Sequence, residues 1–407
     1  MKKQIVSEFR NPFRPGAGHQ PPYLAGRTYE ISEFQNLLGQ DIVSSNMVIT
    51  GLRGVGKTVL LESLRPLAKQ KNWLWVGTDC SESVSVDEQT MAVRILTDIA
   101  LITSGIKIKE TVLRGLGFNS DNSKKTEFMD FDFLAKQYSS IPGLPSDKLK
   151  TILLFVWKHI STQEGLQGIV FAYDEAQTLS DHAEDKQYPL ALLLDLFQFL
   201  QKNSVRFLLV LTGLPMLLSR LIETRTYTER MFRVLVLEQL SKSECRDAIL
   251  KPIEDTNCPV KFDTHSVDTI ASLSGGYPYF IQFICREVYD VFAQQLASKQ
   301  KLFVPVDAII QKLDNDFFAG RWSRATDREK ELLTIIAQNN LQDFGIMQVV
   351  ELSQQSRYKA FSKSQLSQML KRLIASGLVY KNRRGAYSFA VPLLEQYINR
   401  TQKFTEV

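Results

Sequence analysis

The chain has 407 residues, of which 44% are hydrophobic, and carries a formal net charge of +5. This length and apolar fraction allow two or three domains with buried cores, and so mild a charge neither requires nor excludes nucleic acid. The cysteines are widely spaced and form no CxxC pair, which argues against a structural zinc site or a disulfide framework. With no recognisable signal peptide or membrane-spanning stretch, the sequence predicts a soluble cytoplasmic protein without a membrane partner.

The first 240 residues alternate between predicted strands and helices, after an extended N-terminal arm at 1–27 that is rich in proline and glycine. The predicted strands lie at 46–50, 73–79, 168–173, 205–211 and 232–237. Strands separated by helices predict an α/β fold, in which a parallel sheet spanning 28–240 has helices on both faces. Residues 104–149 mix Gly, Ser, Lys and Asp with isolated aromatics, and we interpret them as an insertion or mobile segment.

Residues 51–58 read Gly-Leu-Arg-Gly-Val-Gly-Lys-Thr and fit the phosphate-binding pattern G-x-x-x-x-G-K-[ST] between a predicted strand and a predicted helix. Backbone N–H groups at the helix N-terminus bind phosphate oxygens, Lys57 adds a positive charge, and Thr58 offers a hydroxyl to Mg²⁺. The predicted nucleotide contacts in this loop are Gly51, Arg53, Gly54, Val55, Gly56, Lys57, Thr58 and Val59. The alternative, a glycine-rich turn without a ligand, does not explain the strand–loop–helix context.

The second half of such a site is an apolar strand that ends in acidic residues, and residues 168–175 supply it. Asp174 is predicted to bind Mg²⁺ with Thr58, and Glu175 to polarise the attacking water. The two carboxylates could instead cap the following helix. Thr212, at the end of a neighbouring strand, is a candidate for sensing the γ-phosphate, or else an ordinary strand-terminating threonine.

These motifs, followed by a helical region, resemble the AAA+ superfamily of P-loop ATPases, and most of all the prokaryotic relatives of origin-recognition proteins and of the signal-transducing STAND group. The resemblance implies ATP and Mg²⁺ as cofactors and an arm that contacts adenine, through Leu24 and Arg27. It also implies a homo-oligomer in which an arginine reaches the neighbouring subunit's γ-phosphate. Arg230 is the first candidate and Arg225 the second, with solvated surface charges as the alternative.

The stretch Gly275-Gly276-Tyr277-Pro278 stands where many AAA+ proteins carry a lid arginine that touches the nucleotide. It is similar to the STAND-type lid, which implies that Pro278 packs beside adenine or ribose. The missing arginine favours a nucleotide-dependent switch over a fast motor. Alternatively, the stretch is a helix C-cap followed by a proline at the first position of the next helix.

Helical patterns after Leu240 predict an α-helical lid at 241–325, and residues 326–407 form a third unit. Its helix at 362–376 has an apolar inward face and precedes a basic hairpin, which looks like a winged helix-turn-helix. The predicted DNA contacts are Lys363, Lys371, Arg372, Lys381, Arg383 and Arg384. Protein docking or a purely structural role are the alternatives.

The sequence therefore predicts an ATP-hydrolysing switch or loader that acts on double-stranded DNA. The alternative is a STAND-like signalling ATPase whose winged helix docks a protein rather than DNA. Residues 104–149 are a second candidate for binding a protein partner.

Overall fold

The computed structural model describes residues 10–16, 18–113, 123–255, 260–382 and 385–405. The strands, in chain order, are β1 (Asn46–Gly51), β2 (Trp73–Asp79), β3 (Lys107–Leu113), β4 (Ser123–Phe128), β5 (Gly168–Asp174), β6 (Phe207–Gly213), β7 (Phe232–Leu237), β8 (Val379–Lys381) and β9 (Tyr387–Phe389). The helices of the first unit are α1 (Thr28–Leu38), α2 (Lys57–Gln70), α3 (Glu88–Thr103), α4 (Phe131–Ser140), α5 (Pro145–Ile160), α6 (Pro189–Lys202), α7 (Met216–Thr224) and α8 (Thr228–Met231).

The first unit is built on a five-stranded parallel sheet in the order β2-β5-β6-β1-β7. Every residue of the central strands β1, β5 and β6 is buried, because helices cover both faces of the sheet. The predicted α/β fold is thereby confirmed. Since the strands are parallel, the carboxyl ends of β1, β5 and β6 meet at one edge, where ligands bind in sheets of this kind.

The described part of segment 104–149 is structured. Strands β3 and β4 pair as an antiparallel hairpin, and α4 packs on α3 through the buried side chains of Leu134 and Tyr138. The hydroxyl of Tyr138 also donates a hydrogen bond of 2.9 Å to the side chain of Gln89. Helix α5 begins at Pro145, earlier than the sequence pattern predicts, with the proline in its first turn.

Among the residues that the structure describes after β7, the regular elements are helices and one short antiparallel strand pair. They are α9 (Lys242–Asp255), α10 (Thr264–Ser274), α11 (Pro278–Ala297), α12 (Val306–Leu313), α13 (Asp327–Gln338), α14 (Ile346–Gln355), α15 (Lys363–Ala375) and α16 (Leu394–Thr405). Between α15 and α16 lies the antiparallel pair β8–β9. Helices α13, α14 and α15 precede this strand pair, and a winged helix-turn-helix stays a prediction for the unit.

The lid and the C-terminal unit share one hydrophobic core. Ile284 and Phe292 of α11 belong to the same buried cluster as Leu332 of α13 and Leu370 of α15. Phe13 of the N-terminal arm joins this cluster and stacks on Phe262, with ring centroids 6.1 Å apart. The arm is therefore anchored in the lid before it reaches the sheet.

Helix α12 does not end at the lid. It continues through a π-helical turn (Asp314–Ala319) and one more helical turn (Gly320–Trp322) toward the C-terminal unit. We call residues 314–322 the strap. Within the described ranges, no helix is both long and apolar enough to cross a membrane.

Candidate functional site

The P-loop between β1 and α2 has the geometry that its motif predicts. Gly54 and Gly56 adopt φ angles of 79° and 90°, which side-chain-bearing residues rarely adopt, and α2 begins at Lys57. The Nζ atom of Lys57 donates hydrogen bonds of 3.0 and 2.9 Å to the carbonyl oxygens of Gly51 and Leu52. Burial lowers the pKa of Lys57 to about 8, because desolvation disfavours its charged form.

Asp174, at the end of β5, lies directly against the P-loop. Its Oδ2 accepts a hydrogen bond of 2.5 Å from the hydroxyl of Thr58, and its Oδ1 accepts one from Thr212. A hydroxyl and a carboxylate held together are the oxygen ligands that Mg²⁺ prefers, so the residues fit this ion when phosphate oxygens complete its shell. The described residues contain no cluster of three or more His, Cys, Asp or Glu that could hold a metal.

Thr212 is completely buried, and its hydroxyl donates its hydrogen bond to Asp174. Its observed contact is thus with the carboxylate predicted to bind Mg²⁺. A role in sensing the γ-phosphate stays a prediction, and it would act through Asp174.

Glu175 follows Asp174 with a φ of 50°, a backbone conformation that is uncommon for a residue with a side chain. Its side chain does not cap the short helix that follows, so the capping alternative does not describe it. Gln177 donates a hydrogen bond to its Oε2 atom, and Arg220 donates to the carbonyl oxygens of Gln177 and Leu179. The sequence pattern did not identify Gln177, because it belongs to no recognised motif.

A cavity of about 470 Å³ opens beside these groups. Its size is that of a small-ligand site. The predicted nucleotide and catalytic residues that line it are Leu24, Arg27, Arg53, Gly54, Val55, Gly56, Lys57, Thr58, Val59, Glu175 and Pro278. Gly51 and Asp174 lie behind the lining, while Arg225 and Arg230 lie elsewhere in the molecule. The cavity therefore brings together the P-loop, the arm and the lid.

Arg27 attaches the arm to the P-loop by hydrogen bonds. Its guanidinium is buried and donates hydrogen bonds of 2.9 and 3.1 Å to the carbonyl oxygens of Val55 and Glu238. Desolvation lowers its pKa, and Glu30 partly opposes this effect. Leu24, three residues earlier, gives the cavity an apolar wall.

The two interpretations of Gly275-Gly276-Tyr277-Pro278 are compatible. Gly275 is the left-handed C-cap of α10, and Pro278 is the first residue of α11, so the stretch is a helix stop and start. Pro278 also lines the cavity, and the backbone N–H of Tyr279 donates a hydrogen bond of 3.1 Å to the carbonyl oxygen of Gly54. The start of the lid helix is thus bonded to the P-loop.

Most of the arginines near β7 form hydrogen bonds or ion pairs with other residues of the chain. Arg225 forms a two-pronged ion pair with Asp195, with N–O distances of 3.0 and 2.9 Å, and Arg233 pairs with Glu33. Arg230 is exposed and forms no ion pair with another described residue. Of the two predicted candidates, Arg230 is thus the exposed one without an ion pair to a described residue, and a role in trans stays a prediction.

The predicted DNA-binding face is only partly available. Lys363, Lys371 and Lys381 are exposed, whereas the Nε atom of Arg372 donates a hydrogen bond of 2.8 Å to Glu329. Arg383 and Arg384 lie outside the described residues. The apolar residues predicted to face inward from α15 are buried as expected: Leu366, Met369, Leu370 and Leu373.

Residues 23–223 match the AAA ATPase domain family, and residues 315–398 match a domain of unknown function, DUF8462. No curated protein matches the chain. The ORC2 protein of Aeropyrum pernix in its ADPNP–ADP complexes is 15% identical, with a TM-score of 0.53 over 98% of this chain and 99% of that chain. The Cdc6p protein of Pyrobaculum aerophilum is 16% identical, with a TM-score of 0.45 over 100% and 99% of the two chains. Residues 23–223 are therefore similar to the AAA ATPase domain family, and the chain has a fold like that of the ORC2 protein.

Proposed function

We propose that the chain binds ATP with Mg²⁺ at the P-loop, hydrolyses the ATP, and uses the two nucleotide states as a switch on double-stranded DNA. The observation that carries the enzymatic part is the contact between Thr58 and Asp174, with Glu175 beside it at the edge of the cavity. The groups for binding phosphate, holding a cation and activating water thus meet at one sheet edge.

Each residue has a distinct part in this proposal. The P-loop N–H groups and Lys57 bind the phosphates, for which Lys57 exchanges its bonds to the loop carbonyls. Thr58 and Asp174 would hold Mg²⁺, which would neutralise charge on the phosphate oxygens. Glu175 accepts a proton from the attacking water as the bond between the β- and γ-phosphates breaks, giving ADP and phosphate.

We assign the trans-acting arginine to Arg230, which requires a homo-oligomer. Its exposed guanidinium would stabilise the charge that develops on the γ-phosphate of a neighbouring subunit. Arg225 is the weaker candidate, because it would have to leave Asp195 first.

The DNA part of the proposal depends on the exposed face of α15 and on the hairpin after it. Lys363 and Lys371 are exposed on this helix, and Lys381 continues the basic surface onto β8. Lysine side chains placed in this way bind DNA phosphates and release counterions, so binding weakens as salt rises.

A signalling switch that docks a protein is the second candidate function, favoured by the position of the C-terminal unit. A Cβ atom on Gly377 would lie 3.5 Å from the guanidinium of Arg53 in the P-loop, and one on Gly275 would lie 2.8 Å from Leu393. The C-terminal unit therefore packs against the proposed nucleotide site. A nucleotide-dependent switch requires such a contact, whether the C-terminal unit binds DNA or a protein.

The test is ATP hydrolysis by the full chain, with and without double-stranded DNA, across a series of salt concentrations. We expect hydrolysis by the wild type, no nucleotide binding by Lys57→Ala, and binding with poor turnover by Glu175→Gln. Stimulation by DNA should fade as salt rises and disappear in the triple variant Lys381→Ala/Arg383→Ala/Arg384→Ala. The control Lys158→Ala/Lys202→Ala removes exposed charges from the ATPase unit and should respond like the wild type.

Normal hydrolysis by Glu175→Gln would show that Glu175 does not activate water. Hydrolysis that is indifferent to DNA at every salt concentration would reject the DNA switch and favour the protein-docking function.

A further inference from the structure

The cavity has an arginine that comes from the helical region, although the lid turn itself supplies none. Arg321 lies in the strap and lines the cavity together with Arg53 and Lys57 of the P-loop. Arg286, the nearest arginine in α11, is exposed and does not line the cavity. Arg321, more than forty positions after the lid turn, thus adds to a cationic lining that also includes Arg14 and Arg27.

The guanidinium of Arg321 is held in a defined position. It lies over the ring of Phe317, with its Cζ atom 4.1 Å from the ring centroid, and donates a hydrogen bond of 2.5 Å to the carbonyl oxygen of that residue. No ion pair joins Arg321 to an acidic side chain of the described residues. Burial and the nearby charge of Arg53 both lower its pKa. An anion beside these two arginines would offset their repulsion, and a guanidinium suits phosphate oxygens because it can donate two parallel hydrogen bonds.

The opposite end of the strap is attached to the last helix. Asp314 forms a two-pronged ion pair with Arg400 of α16, and the buried ring of Phe318 stacks on Tyr397, with centroids 5.3 Å apart. Asp314 and Arg321 are separated by about 10 Å of helix, at 1.5 Å per residue. One short helical element therefore contacts both the nucleotide cavity and the C-terminal unit.

The π-helical turn explains how both contacts are made. An extra residue per turn rotates the side chains that follow it relative to those before it, and such turns often occur at functional sites. Here Phe317 and Arg321 face the cavity while Phe318 is buried toward Tyr397. The match to DUF8462 begins at residue 315, so it includes most of the strap with the C-terminal unit.

We propose that Arg321 binds phosphate groups of the nucleotide, and that the strap transmits nucleotide binding to the C-terminal unit. The proposal rests on the proposed function, because the P-loop must hold the nucleotide that Arg321 contacts. Coupling of this kind is reciprocal, so changes at the Arg400 end should alter nucleotide affinity.

The test compares the full-length wild type, Arg321→Ala, Arg321→Lys and Arg324→Ala by titration with a fluorescent ATP analogue in the presence of Mg²⁺. Arg324 is the matched control, since it is exposed in the same region and does not line the cavity. We expect Arg321→Ala to weaken binding about tenfold or more, as for a lost charged hydrogen bond, and Arg324→Ala to bind like the wild type. Arg321→Lys retains the charge and should be intermediate, which keeps the test valid if the alanine variant folds poorly.

Two further readouts separate phosphate binding from a structural role. Adenosine has no phosphate, so its affinity should be the same for Arg321→Ala as for the wild type. The measurement is displacement of the analogue by adenosine, corrected for the affinity of each variant for the analogue. Hydrogen exchange should show that saturating ATP protects α16 in the wild type, but less so in Arg321→Ala and in Arg400→Ala.

If the wild type binds ATP and Arg321→Ala binds it equally well, this inference is wrong while the proposed function stands. Equal protection of α16 by saturating ATP in all variants would overturn transmission through the strap. No ATP binding by the wild type would overturn the proposed function and this inference together.

Discussion

Gln177 connects the carboxylate of Glu175 to the end of strand β6. Its side-chain nitrogen donates to Oε2 of Glu175, and its side-chain oxygen accepts a hydrogen bond of 2.9 Å from the backbone N–H of Leu214. Glu175 has an uncommon backbone conformation, and this hydrogen bond fixes the direction of its side chain. Gln177 is therefore a positioning residue for the proposed hydrolysis.

We expect Gln177→Ala to lower kcat about tenfold while nucleotide affinity stays near that of the wild type, because only the direction of Glu175 is lost. Steady-state hydrolysis and nucleotide titration measure the two quantities. Gln177→Met fills similar volume without the hydrogen bonds and should be as slow as the alanine variant. A methionine variant with wild-type kcat would mean that packing, not hydrogen bonding, is what Gln177 supplies.

Removal of the metal should distinguish Thr58 from its neighbours. In the wild type, chelation of Mg²⁺ should weaken ATP binding, because the Thr58 hydroxyl beside Asp174 then has no ion to hold against the phosphates. Thr58→Val should bind ATP weakly with or without the chelator. Thr58→Ser retains a hydroxyl and serves as control. A valine variant that still responds fully to the chelator would exclude Thr58 as a ligand.

Arg230→Ala should abolish most hydrolysis while leaving nucleotide binding intact, because the residue lies away from its own chain's cavity. Mixing this variant with Lys57→Ala should restore part of the activity. At mixed interfaces, an intact P-loop of one chain then meets an intact Arg230 of the other. The measurement is ATP hydrolysis at several mixing ratios.

Arg225→Ala should behave differently in the same assay. It breaks a half-exposed ion pair with Asp195, so its expected effect is a loss of stability of about 1 kcal/mol or less. If Arg225→Ala complements Lys57→Ala in the mixing experiment and Arg230→Ala is fully active, the assignment of the two arginines must be exchanged.

Gly276→Ala should destabilise the protein by about 2 kcal/mol or more, because the glycine has a left-handed backbone and no room for a side chain. Its φ is 76°, and an added Cβ would lie 2.7 Å from the carbonyl oxygen of Leu240. Gly320→Ala is the matched control: that glycine is helical, and outside its chain neighbours and its own helix backbone no atom lies within 4 Å of an added Cβ. The control should gain up to about 1 kcal/mol, as alanine favours a helix. Thermal or urea unfolding measures the stability of both variants. An equal loss of stability in the two would contradict the steric explanation for Gly276.

The sequence could predict the central sheet because a strand buried on both faces is largely apolar, as β1, β5 and β6 are. The P-loop and Asp174-Glu175 could be predicted because phosphate binding restricts residue type and spacing together. The hairpin β3–β4 could not, since Lys107–Leu113 is largely polar and lacks the alternation of a half-buried strand.

Residues that act through long-range contacts left no local signal. Arg321 and Arg53 line one cavity although 268 positions separate them, and nothing near Arg321 in the sequence marks it as a ligand. The sequence does not identify Gln177 either, because its two hydrogen bonds depend on the ends of β5 and β6 lying side by side. Periodicity predicts which face of an element is buried, but not which distant element covers it.

The core shared by the lid and the C-terminal unit limits how this protein can move. Because these parts bury apolar side chains against each other, separating them would expose a large hydrophobic surface to water. The chain passes twice between the sheet and the helical core that the lid and the C-terminal unit share, once in the arm and once at Leu240. These two passages are close together, because a Cβ atom added to Gly26 of the arm would lie 2.9 Å from Leu240. The two connections between the sheet and the helical core thus lie next to each other. The molecule therefore consists of two packed bodies that both line the cavity, rather than of three independent domains.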